Sequence, residues 1–235
     1  MDFSSVQAAK GHFGKSIYKF GFNSAISTTE ETVWDEGGVY AYPTAAAVLS
    51  VVSSNAADAA AGTGARKGTI EGLDNDYKVQ TVEITLNGTT AVASTETFIR
   101  VYRAFVSEAG SGGTNTGAIS ISTSSTVRAE ISAGMGQTLM AVYTVPADYT
   151  GYIVGWSIGS GATAANKYLD GRLIVRDPDG ILLTKARTTI SNTTVIQPFG
   201  KAIEVAAKSD VEIRAKTSSG TDAVSGTFTM VLERN

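Results

Sequence analysis

Asp210-Val211-Glu212-Ile213-Arg214-Ala215-Lys216 and Thr227-Phe228-Thr229-Met230-Val231-Leu232 decide the fold class of this chain. In the first stretch the apolar Val211, Ile213 and Ala215 alternate with Glu212, Arg214 and Lys216. In the second, Phe228, Met230 and Leu232 alternate with Thr227 and Thr229. A period of two puts successive side chains on opposite faces of an extended backbone, so each stretch reads as a strand with one buried and one solvated face. Toward the N-terminus the same period returns at Val127, Ala129 and Ile131, at Ile119 and Ile121, at Val82, Ile84 and Leu86, and at Tyr18, Phe20 and Phe22. Asp74-Asn75-Asp76, Asn87-Gly88 and Asp177-Pro178-Asp179-Gly180 separate apolar runs at hairpin intervals. Roughly ten to thirteen strands follow, at the turn spacing of a sandwich or barrel. The one helix-like stretch, Ala56 to Ala61, is cut short by Gly62 and Gly64. The expectation is an all-β, antiparallel chain.

Composition narrows the chemistry. The 235 residues carry 19 Lys+Arg against 22 Asp+Glu, no cysteine and one histidine, His12. Threonine and serine, 29 and 23 of them, together outnumber all charged residues. Without cysteine there is no disulfide, thiolate nucleophile or cysteine metal site. A single histidine cannot make a multi-histidine metal centre. The formal net charge of -3, spread along the chain, gives no electrostatic footprint for nucleic acid. No apolar stretch approaches the roughly 20 residues of a membrane helix. The start, Met1-Asp2-Phe3-Ser4-Ser5-Val6, has neither the basic nor the apolar region of a signal peptide. The expectations are therefore no catalytic residues, no cofactor, no metal, no nucleic acid and no membrane, with synthesis in a cytoplasm.

The chain divides by composition. Residues 1–38 are glycine-broken and aromatic, and read as an extended N-terminal arm or, alternatively, as the first strand of the same sheet. Residues 39–109 form a first β module and 118–235 a second. Between them Gly110-Ser111-Gly112-Gly113-Thr114-Asn115-Thr116-Gly117 has the composition of a linker or long loop. One continuous domain over 39–235 is the other reading. Phe13, Tyr18, Phe20, Phe22 and Trp34 are the candidate assembly interface, because aromatics in a segment that packs poorly on itself suit a neighbouring surface.

Several motifs resemble chemistry without its context. Ala9-Lys10-Gly11-His12-Phe13-Gly14-Lys15-Ser16 approximates a phosphate loop, but strand alternation follows it where a helix is required. Gly62 to Gly68 nearly spells a dinucleotide fingerprint, again before a strand. Asp177 and Asp179 flank Pro178 as in a β-turn and lack the further ligands of a calcium loop. Glu30, Glu31, Asp35 and Glu36 around Trp34 form the densest acidic group, and read as a solvated loop anchored by one buried tryptophan rather than as a hydrolytic pair.

Three stretches carry a family resemblance. They are Tyr143-Thr144-Val145-Pro146-Ala147-Asp148-Tyr149-Thr150-Gly151-Tyr152-Ile153-Val154-Gly155-Trp156, Ala207 to Ala215 with Val224 to Phe228, and Gly21-Phe22-Asn23 with Glu30 to Asp35. Together they resemble virion structural proteins of tailed bacteriophages. The resemblance implies a non-enzymatic, jelly-roll-like sandwich on a virion, made in the host cytoplasm and repeated by symmetry. A capsid decoration or cement protein is the leading form, with copies of itself in a cyclic homo-oligomer and the major capsid protein as partners. A neck, tail or baseplate component is a second form. Apart from the resemblance, an alternative of another class is a carbohydrate- or receptor-binding module built around Trp34, Trp156 and the tyrosines.

Overall fold

The computed structural model describes residues 14–161 and 166–235. Sixteen strands and no helix lie among the described residues. In chain order, β1 (Lys15–Ile26) and β2 (Glu31–Thr32) come first. Then follow β3 (Ala47–Ser53), β4 (Ala65–Leu73), β5 (Val79–Thr85), β6 (Val92–Phe98), β7 (Arg100–Ala109), β8 (Ile119–Thr123) and β9 (Thr126–Ile131). The last group is β10 (Val142–Thr144), β11 (Tyr149–Ser160), β12 (Leu169–Arg176), β13 (Leu182–Ile190), β14 (Thr194–Val205), β15 (Asp210–Thr217) and β16 (Asp222–Arg234). Every named pairing is antiparallel. The chain forms two compact units. One comprises the residues up to Val39 together with Ala141–Asn235, and the other is Tyr40–Met140. The second unit is thus inserted into the sequence of the first.

The first unit is an eight-stranded jelly roll. One sheet has the order β1-β16-β11-β14 and the other β10-β15-β12-β13, with β2 added beside β15. The pairs β1/β16, β10/β15, β11/β14 and β12/β13 nest from the ends of the chain inward, as in one long hairpin folded over itself, which is the double Greek-key arrangement. The hairpin tip is Asp177-Pro178-Asp179-Gly180. Gly180 has a φ of 89°, and its N–H donates to the Asp177 carbonyl at 3.0 Å. The Asp177 carboxylate accepts the Ile181 N–H at 2.7 Å. Asp177 thus shapes a turn.

Period-2 alternation sends Ile153, Trp156, Ile158, Val224, Phe228 and Met230 of one sheet inward, against Leu169, Leu173, Val211 and Ile213 of the other; all are buried. Two glycines let the sheets approach. A Cβ on Gly171 would lie 2.4 Å from Ile158 Cδ1, and one on Gly226 would lie 3.0 Å from Ile213 Cδ1.

Strand β1 departs from the expected arm. It pairs with β16 from Lys15↔Leu232 to Ile26↔Asp222, and the segment after it delivers β2 to β15 and buries Val33 and Trp34. The first-strand reading therefore holds from Lys15 onward, while residues 1–13, with Phe13 and His12, lie outside the described residues. The inward positions of β1 are Lys19, Gly21 and Asn23, all buried, and the last two face backbone. A Cβ on Gly21 would sit 2.1 Å from the Val33 carbonyl oxygen and 2.4 Å from the Ala141 nitrogen. Asn23 Nδ2 donates to the Thr32 carbonyl and to Glu31, each at 3.4 Å. Three backbone hydrogen bonds knit this region: Val33 N–H to Ile213 O at 2.9 Å, Ala141 N–H to Val33 O at 3.0 Å, and Ile213 N–H to Ala141 O at 3.2 Å. Neither backbone neighbour can retreat from an added methyl, so Gly21→Ala is expected to cost about 3 kcal/mol. Chemical denaturation read at Trp34 and Trp156 fluorescence checks it.

The inserted unit packs a four-stranded sheet, β6-β3-β8-β9, and a three-stranded sheet, β5-β4-β7. Leu49, Val51, Ile70, Leu73, Phe98 and Ile121 are among its buried side chains. The stretch 110–117 is not a boundary. It lies inside this unit, and the unit boundaries fall instead at 39/40 and 140/141.

The fully buried Asp58 holds that stretch. Oδ1 accepts the N–H groups of Ala65 and Thr116 at 2.8 Å each. Oδ2 accepts the Gly117 N–H at 2.8 Å and the Ser53 hydroxyl at 2.6 Å. Asn115, also buried, donates to the carbonyls of Gly117, Ile131 and Ser132 and accepts the Gly136 N–H. A Cβ on Gly64 would meet Asp58 Oδ1 at 2.1 Å, which is why glycine stands there.

Burial alone would raise the Asp58 pKa, but the Ser53 hydroxyl and the three amides outweigh it and bring it below the ordinary 3.8. Its stabilisation is then fully present above pH 3.8 and is lost as pH falls through the lowered value. Asp58→Ala leaves four donors without a partner and is expected to cost about 3–5 kcal/mol. Denaturant melts across the acid range should show the wild type losing stability where Asp58→Asn does not.

Candidate functional site

The outer face of the sheet β1-β16-β11-β14 gathers three of the sequence-predicted aromatics, Tyr18, Phe20 and Phe22. Registers across the four strands define three rows. The first is Tyr18–Thr229–Gly155–Pro198, the second Phe20–Thr227–Ser157–Ile196, and the third Phe22–Ser225–Gly159–Thr194. None of the twelve residues is charged. Aromatic rings edge the face along β1, hydroxyls run down β16, small residues floor it on β11, and Pro198 and Ile196 close it on β14. Tyr18 is 61 % exposed, Phe22 39 % and Ile196 77 %. The Tyr18 and Phe20 rings sit 6.0 Å apart, tilted by 33°. The Ser157 and Thr227 hydroxyls bond to each other at 2.6 Å.

A β-bulge between Ile153 and Gly155 interrupts the floor. There a trough of about 490 Å3 opens, bordered by Tyr18, Val154, Trp156, Ile196, Gln197 and Pro198 among others. Trp156 is buried, and its indole N–H donates to Gln197 Oε1 at 3.0 Å. Large apolar side chains left in water on one contiguous face mark a surface that meets something.

The outer face of the other sheet has the opposite chemistry. Arg214, Arg172 and Arg187 are register partners on β15, β12 and β13, a row of like charges that would repel if left alone. Carboxylates intervene. Glu30 pairs with Arg172 and lies 3.5 Å from Arg214. Glu212 accepts Arg214 at 2.6 Å and the Thr32 hydroxyl at 2.7 Å. Asp170 accepts Arg187 through both oxygens, and Asp210 accepts Arg176 at 3.1 Å and the Thr144 hydroxyl at 2.6 Å. Burial pushes the Glu212 carboxyl up, against the pull of Arg214 and Thr32.

The structure brings Tyr18, Phe20 and Phe22 together but leaves out Trp34. That ring is only 3 % exposed, and its N–H donates to the Gly38 carbonyl at 3.1 Å, so it belongs to the core and not to a surface. Phe13 lies outside the described residues. In the acidic group, Glu30 serves the arginine row. Glu31 accepts the N–H groups of Ser27 at 3.0 Å and Gly38 at 3.1 Å. Burial opposes its ionisation, but the bonds from Ser27, Gly38 and Asn23 prevail and lower its pKa. Both are structural staples. Asp74 accepts the N–H groups of Asp76 and Lys78, as a turn residue does. Among the described residues, no group of three or more His, Cys, Asp or Glu side chains is placed to hold a metal. Sequence reasoning missed Ile196 and Pro198, which carry no signal of facing outward beside β1. It also missed the arginine row, whose members are far apart in the chain.

The fold and its two outer faces define the class: an antiparallel jelly roll carrying a β sandwich in the connection that follows its first strand. No family model and no curated protein matches the chain. Two solved structures share some of its outline. One is the structure of infectious bursal disease virus Gx strain, 12% identical over 94% of this chain and 72% of that chain, with a TM-score of 0.29. The other is the crystal structure of the infectious bursal disease virus VP2 subviral particle, 10% identical over 94% and 72%, with a TM-score of 0.27. Neither is a tailed-bacteriophage protein, and at such TM-scores the likeness carries no argument.

Proposed function

We propose that this chain is a non-enzymatic structural protein of a virion that associates with copies of itself through the outer face of β1-β16-β11-β14. One observation carries the reading: twelve uncharged positions in three registers, with Tyr18, Phe22 and Ile196 exposed at its sides. A surface without charge has no like-charge repulsion to overcome when copies meet, and its hydroxyls offer donors and acceptors to a partner backbone. Each aromatic covered on association contributes about 1.5–3 kcal/mol. A closed ring of copies repeats that contact. The engagement of Glu30 and Glu31 in structural hydrogen bonds and ion pairs supports a role without catalysis.

On the finer level, the family resemblance favours a decoration or cement protein bound to the major capsid protein of a bacteriophage head over a neck, tail or baseplate component. Quantitative mass spectrometry of particles separates them. A decoration protein occurs at a copy number comparable to the major capsid protein, a tail ring at far fewer.

The trough favours a second reading, a neutral glycan held between the Tyr18 ring and the Thr227, Thr229 and Gln197 side chains. Sedimentation velocity of Tyr18→Asp and Ile196→Asp distinguishes the readings. Self-association predicts that both variants keep the wild-type strand content by circular dichroism and dissociate to monomers, with the melting temperature lowered by the lost association. A monomeric wild type that binds a neutral oligosaccharide, and loses it in Tyr18→Ala, would replace assembly with glycan recognition.

A further inference from the structure

At one end of the charged face, Lys216, Asp170 and Thr189 are register partners on β15, β12 and β13. With Arg187, Thr28 and Tyr168 they line a cavity of about 500 Å3, a volume suited to a small ligand. Asp170 is 7 % exposed and receives Arg187 as a fork, Nε to Oδ1 at 2.8 Å and Nη2 to Oδ2 at 2.7 Å. The fork fixes the guanidinium and neutralises the carboxylate, while Nη1 has no part in it. Lys216 makes no ion pair or hydrogen bond among the described residues, and neither do the side-chain hydroxyls of Thr28, Thr189 and Tyr168. The rim is held by reciprocal bonds, Ser218 N–H to the Tyr168 carbonyl at 2.9 Å and Tyr168 N–H to Ser218 Oγ at 3.0 Å.

Two cations against one carboxylate leave a net positive charge in a polar recess. A rigid guanidinium and an unengaged ammonium suit a carboxylate. The hydroxyls around them suit a ligand that itself bears hydroxyls, and the half-exposed Tyr168 ring offers a flat apolar surface to its C–H face. We propose that this cavity binds an acidic sugar unit of the uronic-acid class, its carboxylate at Lys216 and Arg187 Nη1 and its hydroxyls at Thr28 and Thr189. The site is separate from the uncharged face and does not depend on the assembly reading.

Calorimetric titration of the full chain with glucuronate, glucose, inorganic phosphate and a glucuronate-containing oligosaccharide tests it. Saturable glucuronate binding that weakens with salt is expected, with glucose at least about tenfold weaker, equivalent to about 1.4 kcal/mol. Lys216→Gln and Thr189→Val should each weaken glucuronate binding without lowering the melting temperature, since neither side chain has a hydrogen-bond or ion-pair partner among the described residues. Tighter binding of the oligosaccharide would identify a polymer as the source, and equal binding a free sugar acid. Absence of saturable glucuronate binding, equal affinity for glucose, or indifference to Lys216→Gln would each overturn the site. Inorganic phosphate binding as tightly as glucuronate would overturn its assignment to a sugar.

Discussion

The pairing of β1 with β16 is the contact on which the jelly roll depends. It joins the first described strand to the last, and the three inner pairs nest within it. Only when it forms does β16 acquire neighbours on both sides, β1 and β11, and only then do the three outer rows exist as a surface. Contacts between chain ends form late and slowly, because the loop they close must be ordered before they reward it. The innermost pair, β12 with β13, closes through a short turn whose geometry Asp177 and Gly180 fix locally. Folding from the tip outward is the order that such nesting favours.

A strict period of two also keeps the outward chemistry of the two sheets independent. Both share one apolar interior, yet one presents aromatics and hydroxyls and the other a lattice of ion pairs. Buried carboxylates such as Glu212, Asp210 and Asp170 are costly to desolvate. Their arginine and threonine partners offset that cost and restrict which side chains fit beside them. The uncharged face has no such restriction, so its composition is free to follow whatever it contacts.

Much of this was legible in the sequence. Alternation marked the strands, and the turn at Asp177–Gly180 was read as a turn. Alternation says which residues share a face, however, and not which face is inward. On β1 the aromatics turned outward because Gly21 and Asn23 are pressed against the backbone of Val33, Ala141 and Thr32, segments remote in the chain or separated by a turn. Trp34 joins the candidate interface only because it follows a glycine-broken aromatic segment, whereas the reading of the acids around it as a loop anchored by one buried tryptophan matches its place in the core. Residues 110–117 have the composition of a linker, and equally that of a tight loop. Only Asp58, more than fifty residues earlier, decides between them. A unit whose first strand and remaining strands lie on either side of an insertion shows no compositional seam, so its boundaries were not legible.

The backbone bond between Ala141 and Val33 ties together, within the jelly roll, the two segments of chain that flank the insertion. Whatever lies between them needs only to leave and rejoin the host through those two bonded segments. Residues 40–140 are in this sense a cassette: a lineage can lengthen, trim or trade them by recombination at two neighbouring points while every strand of the host sheets is inherited intact. The jelly roll and the sandwich are then free to diverge at different rates within one reading frame.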